Sequence, residues 1–186
     1  MTRTIFLFLL SFIYSSFPYT PAHPQENVRS VTILHWNDFH ARNMPYKVSK
    51  KIDGVETDYY VGGTAGLLGY LKKYRDENSL IVNGGNDYQG TPISSITKGF
   101  SQMHLLNLYD LDAFVLGNHE FDYGQYLLDS AMREANFDIL SANTYFNPRN
   151  ETMGKPYVIK EINGVKVGII GLTALELPEA VFTGGR

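Results

Sequence analysis

Three features of this sequence predict an α/β fold, a mainly parallel sheet with helices on its faces. Short apolar runs alternate with helical patterns along most of the chain. Two of the runs end in polar clusters, Asn37-Asp38-Phe39-His40 and Asn118-His119-Glu120-Phe121-Asp122. Open sheets present polar chemistry in this way at the carboxyl edge of a strand. A pair of runs flanking Asn163-Gly164 adds an antiparallel hairpin.

Taken in order, the first strand covers about 30–36, and residues 41–60 are a long polar loop with a hairpin turn at Asp53-Gly54. Thr64 is placed to cap a helix whose inner face is Leu67, Leu68, Leu71 and Tyr74. Leu80-Ile81-Val82 is a short buried strand leading into Asn83-Gly84-Gly85-Asn86-Asp87-Tyr88-Gln89-Gly90. Gly84-Gly85 permits positive φ and close backbone approach. Thr91-Pro92 reads as a cap with proline in the first helical turn. A helix from Gly99 to Asp110 faces inward through Met103, Leu105, Leu106 and Tyr109. Ala113 to Leu116 is a strand, Gln125 to Ala135 a helix, and Phe137 to Leu140 a strand. Tyr157 to Ile162 and Val165 to Gly171 form the hairpin around a type I′ turn.

Composition narrows the chemistry. The chain has 186 residues, 44% of them hydrophobic, enough for one domain with a core that buries roughly 70% of the unfolded surface. Formal net charge is -3 and no basic stripe is present, so nucleic acid is not expected as a partner. With no cysteine, disulfides, zinc–thiolate sites and thiol nucleophiles are excluded. Any metal must be held by imidazole, carboxylate, amide or backbone oxygen, which suits Zn, Mn, Mg or Co.

Arg3, the apolar run Ile5 to Ile13 and Pro18 read as a signal peptide over residues 1–22, predicting a secreted or periplasmic protein. The run is shorter than the about 20 apolar residues a spanning helix needs, so no stable membrane span follows cleavage. An uncleaved anchor is the alternative. Residues 23–29 are a linker, and 30–186 the remaining domain. Asn150-Glu151-Thr152 has the pattern of a glycosylation sequon.

Asp38 and His40 stand two residues apart, so in extended backbone their side chains share a face and can converge on one ion. A loop carboxylate and a surface histidine are the plainer reading. Asn118 and His119 diverge in extended backbone, one toward a metal and the other toward substrate. Asp122, three residues on, can fix the His119 tautomer. A turn asparagine with a structural His–Asp pair is the alternative there.

Four stretches, in order, resemble the successive motifs of the secreted 5′-nucleotidases. They are Ile33 to His40, Gly84 to Thr91, Leu116 to Asp122 and Val165 to Thr173. That family belongs to the calcineurin-like metallophosphoesterases. The resemblance implies an α/β sandwich carrying two divalent metal ions and hydrolysing nucleoside 5′-phosphates to nucleoside and phosphate. It assigns Asp38 and His40 to one metal, Asn118 to the second, and position 86 to the bridge between them. It gives His119 contact with the phosphoryl group, positioned by Asp122.

Two departures stand out. The family has aspartate where this chain has Asn86, which predicts weakened binding of at least one metal. Asp87 is next door, but a one-residue shift points a side chain elsewhere. The family also supplies histidine ligands in a later Gly-His-x-His segment and a C-terminal domain for the base. Nothing after Leu172 matches either, so the chain reads as the N-terminal portion of such a protein, incomplete at its C-terminus. The rival readings are a related phosphoesterase for cyclic nucleotides or nucleotide sugars, and a non-catalytic secreted nucleotide- or metal-binding protein. Oligomeric state is not legible.

Overall fold

The computed structural model describes residues 28–146 and 151–175. The expected signal peptide, the sequon's Asn150 and the last residues of the chain lie outside that range.

β1 (Thr32–Trp36) is an edge strand. The polar stretch after it is not a loop. It folds as a hairpin of β2 (Tyr46–Ile52) and β3 (Val55–Val61), with Asp53 and Gly54 both at positive φ in the turn. Tyr46, Val48, Ile52, Val55, Tyr59 and Val61 alternate onto one face, opposite Lys47, Ser49, Lys51, Glu56 and Asp58. Lys50 and Thr57 on the first face, and Tyr60 on the second, interrupt that period in the sequence and hide the strands.

α1 (Gly63–Tyr74) begins after Gly62. Thr64 is already inside it and does not cap. Its hydroxyl donates to Asn43 Oδ1 at 2.8 Å, tying the helix to the connection from β1. β4 (Ser79–Asn83) is almost wholly buried and pairs in parallel with β1, Trp36 opposite Asn83. α2 (Pro92–Thr97) has Thr91 and Pro92 at its start, as proline's fixed φ favours.

α3 (Phe100–Leu106) is shorter than the periodicity implies. Lys98 and Gly99 are both left-handed and separate it from α2. The expected inward residues Met103, Leu106 and Tyr109 are buried, and Leu105 is half-buried. β5 (Ala113–Val115) leads to a 3-10 turn at His119–Phe121. α4 (Gln125–Met132) and β6 (Asp138–Leu140) follow. A short pair, β7 (Tyr145–Phe146) and β8 (Glu151–Thr152), was not legible in the sequence. β9 (Tyr157–Ile162) and β10 (Val165–Ile170) form the expected hairpin, with Asn163 and Gly164 at positive φ.

The four-stranded parallel sheet runs β1-β4-β5-β6, and the β9–β10 hairpin stands as a separate ladder beside it. Leu71, Ile81, Met103, Leu106, Phe114, Leu128 and Ile139 form the core between sheet and helices. Each fully buried side chain of this size contributes about 1.5–3 kcal/mol. Because all four strands are parallel, the loops after β1, β4 and β5 leave from one edge. Trp36 belongs to this interior, edge-on to Tyr109 with ring centres 5.5 Å apart.

Candidate functional site

Those three loops meet at the carboxyl edge. The backbone after β1 is hooked, not extended: Asp38, His40 and Ala41 have φ of 54°, 52° and 48°. The Asp38 N–H donates to Gly85 O at 2.9 Å and the His40 N–H to Asn86 O at 3.0 Å. This lays the β1 loop along the β4 loop. Asp38 and His40 do converge, with His40 Nε2 3.7 Å from Asp38 Oδ1, through left-handed turns instead of strand alternation. His40 Nδ1 donates to Gln89 O at 3.0 Å, which leaves the Nε2 lone pair on the Asp38 side.

Asn86 joins all three loops. Its Nδ2 donates to Asp38 Oδ1 at 2.8 Å, and its Oδ1 accepts the His119 N–H at 3.0 Å. Gly85 explains the tight fit. Its φ is 89°, and a Cβ there would lie 2.5 Å from Gly117 N and Val115 O. The amide N–H of Asn86, foremost, holds the Asp38 carboxyl below the usual carboxylate range, with Asn37 and the nearby histidines helping.

His119 Nδ1 donates to Asp122 Oδ2 at 2.9 Å, and the Asp122 side chain is nearly buried. The His119 ring lies beside His40, centres 5.0 Å apart. Asn118 begins the turn in right-handed backbone, φ -71° and ψ -35°. Its separation from His119 is therefore that of a helical turn, not of a strand. His104 sits elsewhere, paired with Glu134 at 2.6 Å.

Sequence reasoning gave no role to Glu120 and set Asp87 aside, yet both are buried beneath these loops. Glu120 accepts four backbone N–H groups: Gly117 at 2.7 Å, Asn86 at 2.9 Å, Asp87 at 2.7 Å and Tyr88 at 3.3 Å. Asp87 accepts from Asn83 Nδ2 at 2.8 Å and from the Phe39 N–H at 3.2 Å. Burial, and then the neighbouring Glu120 charge, pushes the Asp87 carboxyl up to about 8. Burial also raises Glu120, against the pull of its N–H donors. The only sequence signal was a carboxylate inside each polar cluster.

The donor set suits one cation better than two. Asp38 and His40 offer a carboxylate and an imidazole nitrogen. At the expected bridge, however, Asn86 aims an N–H at Asp38, and the Asn37 amide takes the other Asp38 oxygen. Among the described residues, no three His, Asp or Glu side chains gather in ligand geometry. Nor, among them, is any helix long and apolar enough to cross a membrane.

No family model matches the chain. It is 35% identical to the 5′-nucleotidase of Rattus norvegicus over 165 residues, 85% of this chain and 28% of that protein. Among solved structures it resembles the NAD nucleotidase of Haemophilus influenzae, with TM-score 0.70 and 30% identity over 78% of this chain and 26% of that one. It also resembles a calcineurin-like phosphoesterase of Bacillus subtilis, with TM-score 0.60 and 26% identity over 80% of this chain and 50% of that one. The chain thus spans little more than a quarter of the rat and Haemophilus proteins. By sequence and by fold, it belongs to the 5′-nucleotidase family of calcineurin-like phosphoesterases.

Proposed function

We propose that this chain carries the phosphoryl-handling part of a secreted or periplasmic hydrolase for nucleoside 5′-phosphates, acting in nucleotide catabolism. The observation that carries the reading is the His119–Asp122 pair, set beside Asp38 and His40 at one strand edge. Asp122 fixes the ring of His119 so that Nε2 is left to meet the phosphoryl group. In its imidazolium form His119 donates from Nε2 to a phosphoryl oxygen, with the Asp122 carboxylate balancing its charge. Asp38 and His40 would hold a divalent ion, while the second, which the family likeness assigns to Asn118, lacks its bridging carboxylate where Asn86 turns an N–H to Asp38. Bound divalent ions supply Lewis-acid polarisation of the phosphate and a water of lowered pKa. Arg3 and the apolar run Ile5 to Ile13 support export, with residues 1–22 as the cleaved leader, 23–29 as linker and 30–186 as the catalytic portion.

The test is phosphate release from AMP with Mn or Zn. Activity should vanish in EDTA and fall roughly 10²–10⁴-fold in His119→Ala. A second reading, a non-catalytic nucleotide binder on the same scaffold, is favoured by the Asn86 N–H that faces Asp38. Calorimetric binding of AMP without any turnover would select it.

A further inference from the structure

We infer that Asn86 works as a metal-independent cross-link, doing with one amide the joining that a bridging ion pair would otherwise do. The inference holds whether or not the chain turns over AMP.

Four hydrogen bonds meet at Asn86, and the two made by its side-chain amide carry the inference. Asn86 reaches the β1 loop twice, through Nδ2 to Asp38 Oδ1 at 2.8 Å and through its carbonyl to the His40 N–H at 3.0 Å. It reaches the β5 turn twice, through Oδ1 from the His119 N–H at 3.0 Å and through its own N–H to Glu120 Oε2 at 2.9 Å. The orientation of the amide is fixed by its partners. The His119 N–H can meet only an oxygen, and the Asp38 carboxylate only an N–H. A flipped amide would oppose donor to donor and acceptor to acceptor.

The backbone is suited to the task. Asn86 has φ 62°, a left-handed conformation that asparagine tolerates better than most residues. Gly117 leaves the space: a Cβ there would collide with Asn86 Oδ1. Aspartate at this position would keep the bond from the His119 N–H, but it would set a carboxylate against Asp38. Two carboxylates so close need a cation or a shared proton between them. The amide removes that need, so the loops stay docked without an ion and no second cation is held.

The experiment compares the wild-type chain with Asn86→Asp and Asn86→Ala, each in EDTA and in Mn. Circular dichroism gives the melting temperature, and electron paramagnetic resonance with elemental analysis gives Mn per chain. In EDTA Asn86→Asp, which loses one hydrogen bond, should melt below wild type by roughly 2–4 °C in a chain of this size, and Asn86→Ala, which loses both side-chain bonds, by at least as much. Mn should restore Asn86→Asp and bind it with one more ion per chain than wild type. Asn86→Ala should gain no more from Mn than wild type does. Equal Mn uptake by wild type and Asn86→Asp would overturn the inference, as would unchanged melting of both variants in EDTA. Absence of AMP turnover in all three proteins would sink the hydrolase reading and leave these melting differences standing.

Discussion

The connections that leave β1 and β4 start from the same edge of one parallel sheet and are built in opposite ways. The β4 connection is held from beneath. Glu120 and Asp87 are buried, and the Glu120 oxygens collect the N–H groups of the loop itself and of the neighbouring turn. The β1 connection gives these carboxylates a single backbone bond, Phe39 N–H to Asp87 Oδ1 at 3.2 Å. It is hooked by left-handed residues, rests on the β4 loop through two backbone bonds, and then projects as a hairpin whose residues 49–60 are all exposed. The contrast teaches where the site's geometry comes from. The β4 loop and the β5 turn make a fixed floor, and Asp38 and His40 are laid upon it.

The largest effect should come from removing the floor. Glu120→Ala leaves four interior N–H groups without their acceptor. Unsatisfied groups of this kind cost about 1–3 kcal/mol each and do not add fully, so a loss of about 3–5 kcal/mol is expected in urea unfolding. Glu120→Gln should cost less, because one carbonyl oxygen survives. A Glu120→Ala midpoint close to wild type would erase the contrast between the two connections.

A smaller effect, with a defined sign, comes from Asp87. Its folded pKa of about 8 lies above the unfolded value of about 3.9. Between those values the unfolded chain releases a proton that the folded chain keeps. Stability therefore falls as pH rises through that window and levels off above it. The slope has a ceiling of about 1.4 kcal/mol per pH unit. Asp87→Asn removes this term. Its stability relative to wild type should improve between about pH 5 and about pH 8, read from urea midpoints. A constant difference would mean that Asp87 is not held in its neutral form by burial.

The sequence made the sheet legible for a simple reason. Runs such as Leu80-Ile81-Val82 and Ala113 to Leu116 are apolar enough to demand burial on both faces. The turn at Asp53-Gly54 was legible, but the β2 and β3 strands beside it escaped because both their faces are largely in water and Lys50 and Thr57 break the apolar period. Helix ends slipped at the C-terminal side, where α3 stops at Leu106 and α4 at Met132, short of the expected Asp110 and Ala135. At the site, the types of Asp38, His40, Asn86, His119 and Asp122 were readable, and their strand-end positions too. The backbone that joins them was not, since alternation cannot foresee positive φ at Asp38 and His40. Glu120 and Asp87 were missed for a deeper reason. A carboxylate becomes an internal anchor only when two distant loops close over it, and no local pattern records that.

The smallest expected effect tests the other side of the contrast. Tyr60 lies opposite Lys47 on the projecting hairpin and is 70% exposed. Its ring contributes a cross-strand contact and little burial, so Tyr60→Ser should cost about 0.5 kcal/mol or less. The substitution leaves untouched the bonds from Asn86 to Asp38 and from His119 to Asp122. Mn uptake should therefore match wild type, while Glu120→Ala, by releasing the floor, should lower it. If Tyr60→Ser cost as much as Glu120→Ala, the ring would have to be buried in solution against something other than its own hairpin. The β1 connection would then be anchored as firmly as the β4 connection, from the opposite side.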